Sequence, residues 1–294
     1  MLVAVCSLKG SPGVTTFSVA LAALWPVQAR CVLVECDPSG GDVATRFGLA
    51  SSPGLVSLAA AARRSSDPGL LWQHTQALPG DLAVVVAPTG ADQSLAALTA
   101  LAPEGSGGAG VLRLAAQATD TVVIADCGRV DPTSPALPIV RSADVTLLLS
   151  RAHADDLAHL VTRLSEVSRW SSRPGLLLVG EGYSAAEVSR ELGVPAMGRI
   201  PEDRHAAAVL CGRPGGRGGP SLSPLGHSAV TIARALLSDP LTRSGLGRSS
   251  APVGQPVPVQ HAAPAGTGHS VTANEASLPT VLAPDVTSRN GSKP

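Results

Sequence analysis

The chain has 294 residues, 44% of them hydrophobic but only 2% aromatic, so Leu, Val, Ala and Ile must fill any core. Its 22 Lys+Arg balance 22 Asp+Glu, which excludes a strong global attraction to nucleic acid or to an anionic membrane. Five cysteines with no C-x-x-C pair exclude a cysteine-rich metal module and point to reduced thiols in a cytoplasmic protein.

Leu2 to Cys6 is an apolar run that predicts a buried strand. It leads into a tight loop, Lys9-Gly-Ser-Pro-Gly13, and a helix from Thr15 to Leu24 that Trp25-Pro26 ends. Cys31 to Cys36 predicts a second parallel strand, which delivers Glu35-Cys-Asp37-Pro-Ser-Gly-Gly-Asp42 at its C-terminal end. Residues 55–78 read as two short helices with Asp67-Pro68 between them. A strand over Leu82–Val86, a helix near Asp92–Leu101, a flexible loop over Gly105–Gly110 and a helix over Val111–Ala118 follow. Thr121–Asp126 and Asp144–Ser150 predict two more strands. Leu157, Leu160, Val161, Leu164 and Val167 recur at three and four residues and predict an amphipathic helix between 153 and 168. Gly175–Val179 reads as a strand, Ala185–Leu192 as a helix and Ala196–Pro201 as a short last strand. A Gly/Pro/Arg/Ser-rich loop over 212–224 precedes a closing helix over Leu225–Leu237.

Strands alternating with helices predict an α/β fold, a doubly wound and mostly parallel sheet over residues 1–237. From 238 to 294 the texture changes to Pro, Ala, Gly, Ser and Thr without an aromatic residue. Such a tail buries too little to offset its ordering entropy and is expected to be disordered. No apolar run approaches a membrane-spanning length.

The stretch from Leu2 to Thr16 is the order in which α/β proteins build a phosphate cradle: strand, glycine turn, helix N-terminus. It fits the general pattern G-x-x-x-x-G-K-[ST] only in part, because Leu8 stands at the first glycine and Val14 at the lysine. It resembles the deviant Walker motif of the ParA/MinD family of P-loop ATPases, K-G-G-x-G-K-[ST]-T. Lys9, Gly10, Gly13, Thr15 and Thr16 match, while Ser11 and Val14 depart. The chain has only two lysines, Lys9 and Lys293, so its one lysine outside the tail occupies the family's signature position.

The resemblance implies that Lys9, Gly10, Ser11, Pro12, Gly13, Val14, Thr15 and Thr16 surround the phosphates of ATP, with Lys9 reaching a phosphate across a nucleotide-sandwiched homodimer. It implies that Thr15 and Asp126, the latter at the Walker B position after Thr-Val-Val-Ile-Ala, hold Mg2+. Glu35-x-Asp37 resembles the family's D-x-D-P segment; Glu35 joins the metal set and Asp37 would sit near the attacking water. Val194-Pro-Ala-Met-Gly-Arg-Ile-Pro-Glu-Asp-Arg204 resembles the closing V-P-x-x-G-x-I-P-x-D segment, so Pro201 and Asp203 would line the base pocket. Gly180-Glu181 stands where the family places a base-reading Asn. Taken without the family, Asp37, Asp126 and Asp203 are also ordinary turn and helix-cap residues.

Val14 supplies no charge where the P-loop lysine neutralises phosphate. Losing one such interaction removes roughly two to four kcal/mol in a transition state, or about two to three orders of magnitude in rate. The resemblance implies an ATP-dependent dimer switch that partitions or positions cellular cargo, and the missing lysine makes weak or lost hydrolysis the expectation. The alternative is a pseudo-ATPase scaffold, with a metabolic P-loop enzyme as a third class. DNA contact through Arg204, Arg213 and Arg217 rests on a small patch. No terminal basic amphipathic helix favours membrane targeting. Cys6, Cys36 and Cys127 fall near strand ends and are expected to be small buried hydrophobes.

Overall fold

A computed structural model describes residues 1–26, 29–101, 110–215 and 219–238. The tail over 239–294, most of the Gly105–Gly110 loop and Arg217 lie outside the described residues.

Among the described residues, eight strands form one sheet. In chain order they are β1 (Leu2–Ser7), β2 (Arg30–Glu35), β3 (Gln76–Leu78), β4 (Leu82–Val85), β5 (Thr121–Arg129), β6 (Val145–Ala152), β7 (Pro174–Gly182) and β8 (Ala196–Ile200). They lie in the order β3-β4-β2-β5-β1-β6-β7-β8. Every neighbouring pair is parallel except β3 with β4. The helices are α1 (Val14–Ala23), α2 (Val43–Phe47), α3 (Leu55–Ala62), α4 (Leu70–Gln73), α5 (Ala91–Leu101) and α6 (Gly110–Ala116), then α7 (Leu137–Ser142), α8 (Ala154–Trp170), α9 (Ala185–Leu192), α10 (Arg204–Leu210) and α11 (Pro224–Ser238).

Both faces of the sheet are buried, and the period-2 alternation of strands sorts the side chains. Val3, Val5, Leu33, Ile124 and Leu147 pack with Phe17 and Leu21 of α1 and Ile232 of α11. Leu2, Ala4, Val34, Ala125 and Leu148 pack on the opposite side with Leu58, Leu98, Leu112, Leu160 and Trp170. Cys6, Cys36 and Cys127 belong to this second layer and are fully enclosed. Burial pushes the Cys6 thiol up to about 12 and those of Cys36 and Cys127 well above their ordinary range. They are apolar filling, as expected from their position.

The doubly wound parallel sheet agrees with the sequence expectation, and five elements correct its details. The stretch assigned to two helices over 55–78 ends instead in β3, which runs antiparallel to β4 through a Gly80-Asp81 turn with positive φ at both residues. Helices α2, α7 and α10 are one to two turns long, too short for apolar periodicity to announce. Strand β5 continues to Arg129 because Gly128 takes φ 56°, where the register with β1 shifts.

Candidate functional site

Parallel strands direct their C-terminal ends to one edge, and the crevice outside that edge is where open α/β sheets bind ligands. The edge beside β1, β2 and β5 carries the turn Leu8–Gly13 and a cluster of carboxylates. Gly10 and Gly13 adopt φ 66° and 89°, values that glycine tolerates without a Cβ penalty. A Cβ on either residue would meet nothing within 4 Å, so the turn is open rather than packed against protein. Gly10, Ser11 and Gly13 are exposed and Pro12 is buried. Gly13 caps α1 without a side-chain hydrogen bond. The first N–H groups of α1 therefore face the turn, a ready anion seat.

Val14 turns away from that seat. It is 6% exposed and packs in the apolar layer with Val5, Phe17 and Val43. The next two side chains stay at the turn. Thr15 faces the carboxyl of Asp126 and favours its ionised form. The Thr16 hydroxyl lies 3.7 Å from Cys211 Sγ.

Asp126 and Glu35 are register partners on β5 and β2, so they share the α1 face of the sheet. Asp126 is 1% exposed. Burial pushes its carboxyl up to about 7; Thr15 and the Gly128 N–H pull it down, and Glu35 and Asp37 push it up. Glu35 is also raised by burial, against three backbone donors that lower it. Its Oε1 accepts the N–H groups of Asp42 and Val43 at 2.9 and 3.0 Å, and its Oε2 accepts that of Ala87 at 2.9 Å. Glu35 thus pins the loop that follows β2 to the end of β4. A metal at Glu35 would share oxygens already engaged by amides.

Asp37 is half-buried, and burial raises its carboxyl above the usual range. Its Oδ1 accepts the Ser39 N–H at 2.8 Å, and its backbone carbonyl accepts the Ser94 hydroxyl at 2.7 Å. Its carboxylate lies flat against Gly128, where a Cβ would come within 2.0 Å of Oδ2. Glycine is required there by this close approach. Sequence reasoning missed Gly128, although a glycine directly after a Walker-B-like run was the available signal.

Lys9 is placed elsewhere. Its Nζ lies 3.9 Å from Asp155 Oδ2 at the start of α8, with both side chains solvent-exposed. The structure brings Thr15, Asp126, Glu35 and Asp37 to one edge of the turn and sets Lys9 on the other. Beside Lys9, ligand atoms of His153, Asp155 and Asp156 lie within 4.8 Å of one another, all from the exposed entry to α8.

Pro201 and Asp203 occupy the end of β8. Asp203 Oδ1 caps α10 by accepting the Ala206 N–H at 2.9 Å. Its Oδ2 is buried and has no hydrogen-bond partner among the described residues. The β7 end approaches the same segment: a Cβ on Gly180 would stand 3.0 Å from Glu202 Oε1. Arg204 and Arg213 are exposed at opposite ends of α10.

Two residues at the turn went unnoticed in the sequence. Arg46 of α2 pairs with Asp42 at 2.7 Å and donates from Nη1 to Cys211 Sγ at 3.5 Å. Cys211, which follows α10, stands between that guanidinium and the Thr16 hydroxyl. The Asp42/Arg46 spacing of four residues was a readable helix pair; nothing in it announced the return to the turn.

The donor set suits a hard cation. A hydroxyl and a buried carboxylate at the edge of an anion seat are the oxygen ligands that magnesium takes beside phosphate. A cation among these carboxylates would favour their ionised forms against the burial that raises them.

No family model and no curated protein matches the chain. Solved structures do. The chain is similar to a ParA family ATPase from Chlorobium tepidum TLS at 19% identity and TM-score 0.63, covering 79% of this chain and 98% of that one. It is similar to the septum site-determining protein MinD complexed with Mg-ADP from Pyrococcus horikoshii OT3 at 16% identity and TM-score 0.57, covering 83% and 98%. It is also similar to an ATP complex of a McdA variant from Cyanothece at 17% identity and TM-score 0.58, covering 80% and 96%. The chain has the fold of the ParA/MinD ATPases. Among the described residues, no helix is long and apolar enough to cross a membrane.

Proposed function

We propose that this chain, built on the ParA/MinD fold, is a cytoplasmic nucleotide-binding protein that takes magnesium-ATP at the Gly10–Gly13 turn. The observation that carries the reading is the open glycine turn at the start of α1, with Thr15 facing the buried Asp126 on the adjacent edge of the sheet. Gly10, Ser11, Pro12, Gly13, Thr15 and Thr16 would surround the phosphates. Thr15 and Asp126 would hold magnesium, with Glu35 bracing the loop behind them. Bound magnesium supplies positive charge to the phosphate oxygens. Asp37, raised by burial and held at Gly128, would orient water at the γ-phosphate. Pro201 and Asp203 would border the base.

The protein would work as an ATP-dependent homodimer that positions cargo through a partner protein. The similar proteins include a cell division ATPase MinD and a MinC:MinD cell division complex, which supports a partner-dependent role. Hydrolysis would be weak or lost, because Val14 brings no charge and Lys9 rests, through a weak exposed pair, on the Asp155 side of the turn. Those same two observations favour the second reading, a pseudo-ATPase that binds nucleotide and serves as a scaffold.

Equilibrium nucleotide binding, phosphate release and sedimentation, measured on the same sample with and without magnesium-ATP, separate the two. ATP-dependent dimerisation with slow turnover supports the switch. Nucleotide binding without turnover or dimerisation supports the scaffold. No response of any kind removes both.

A further inference from the structure

The missing P-loop lysine leaves the α1 end of the turn without a cation of its own. Val14 is enclosed in the apolar layer, and Lys9 is directed to Asp155. One cation is nevertheless carried to the opening of α1 by other elements. Arg46 projects from α2, and its guanidinium meets the sulfur that also meets the Thr16 hydroxyl. Three features fix that approach. Glu35 accepts the N–H groups of Asp42 and Val43, which anchors the start of α2 to the end of β2. Asp42 pairs with Arg46 one turn later. Gly212 packs so closely on α2 that a Cβ there would lie 2.3 Å from the Arg46 carbonyl oxygen, so the Cys211-Gly212 turn is seated directly on that helix.

We infer that Arg46 is the phosphate-binding cation of this chain, replacing in space the charge that Val14 removes in sequence. The inference rests on the nucleotide reading above and names a residue that the motif does not contain. A guanidinium presents a planar fork of donors that matches two phosphate oxygens. Its side chain is 28% exposed, so it is partly desolvated yet open to a ligand. Asp42 is 67% exposed and holds Arg46 through a surface pair, which is worth little and yields readily to a more highly charged phosphate.

The test is calorimetric titration of magnesium-ATP and magnesium-ADP into the full chain, into Arg46→Gln, into Arg46→Lys, into Val14→Lys and into the double variant Val14→Lys/Arg46→Gln, with thermal melting of each. Arg46→Gln should bind both nucleotides about tenfold more weakly or worse, the scale of one charge-assisted contact. Arg46→Lys should retain most of the affinity, and Val14→Lys should tighten binding by a larger factor in the double variant than in the otherwise wild-type chain, where Arg46 already supplies the charge. Wild-type binding matched by Arg46→Gln overturns the inference and leaves the nucleotide reading intact. A gain from Val14→Lys that is the same with and without Arg46 assigns Arg46 to the support of α2 and also overturns it. A wild-type chain that binds neither nucleotide defeats the nucleotide reading and this inference together.

Discussion

Position 14 decides how much charge the turn itself brings to a phosphate. Val14 is packed against Val5, Phe17 and Val43, so a lysine there would lead its stem out of the apolar layer toward the turn, as long amphipathic side chains do. Val14→Lys should therefore tighten magnesium-ATP binding or raise phosphate release by at least about tenfold, and equal values in both assays would count against an intact site. Asp126 makes a second residue-scale prediction, in the nucleotide-free protein. Its carboxyl is pushed up to about 7 by burial from an ordinary 3.8. The folded chain thus holds a proton there that the unfolded chain releases. By linkage, this residue's contribution to stability is fully present below about pH 3.8 and is lost as pH rises toward about 7. Asp126→Asn should flatten that part of a melting-temperature profile, and an unchanged slope would contradict the burial. The positions of Gly13, Thr15 and Asp126 at the strand ends were legible from the motif, whereas the side of the turn that Lys9 takes was not. Arg46 and Cys211 were not, because their meeting depends on how α2 and α10 close over α1, and no local spacing encodes it.

At the scale of elements, the loop after β2 is held from both sides. Glu35 grips its amides, and Gly41 donates to the Pro88 carbonyl at 2.8 Å. A Cβ on Gly41 would lie 2.5 Å from Glu35 Oε2 and 2.8 Å from the Ala87 carbonyl oxygen. Gly41→Ala should cost about 1–3 kcal/mol by overpacking, read as a lower midpoint in denaturant, while no change would mean that this loop is loosely seated. The tie between the glycine turn and α8 is weaker. Asp155→Asn removes an exposed pair worth about 0–1 kcal/mol, so it should leave the melting temperature within a few degrees. The strands were legible as apolar runs, and α8 and α9 as helices from their periodicity and, for α9, its Ser184/Glu187 capping box. Helices α2, α7 and α10 and the three-residue β3 were not, because their stability comes from what they pack on and not from a pattern of their own.

Across the whole molecule, the sheet is a wall between two apolar layers, and its middle strands carry the site at one end. Ile124, fully enclosed on β5 two residues before Asp126, couples the two. Ile124→Ala should destabilise the chain by about 2–5 kcal/mol, read from denaturant unfolding followed by circular dichroism. The parallel α/β architecture was legible from the alternation of strand and helix runs, since strands that are apolar on both faces need helices over each side of the sheet. What the crevice holds is a question for one measurement, calorimetric titration of magnesium-ATP into the wild-type chain with Asp126→Asn and Thr15→Ala alongside. Saturable, magnesium-dependent binding that weakens strongly in both variants is the predicted result. A wild-type chain that takes up no nucleotide, or one that binds equally well with Asp126 and Thr15 replaced, would contradict the placement of ATP at this turn.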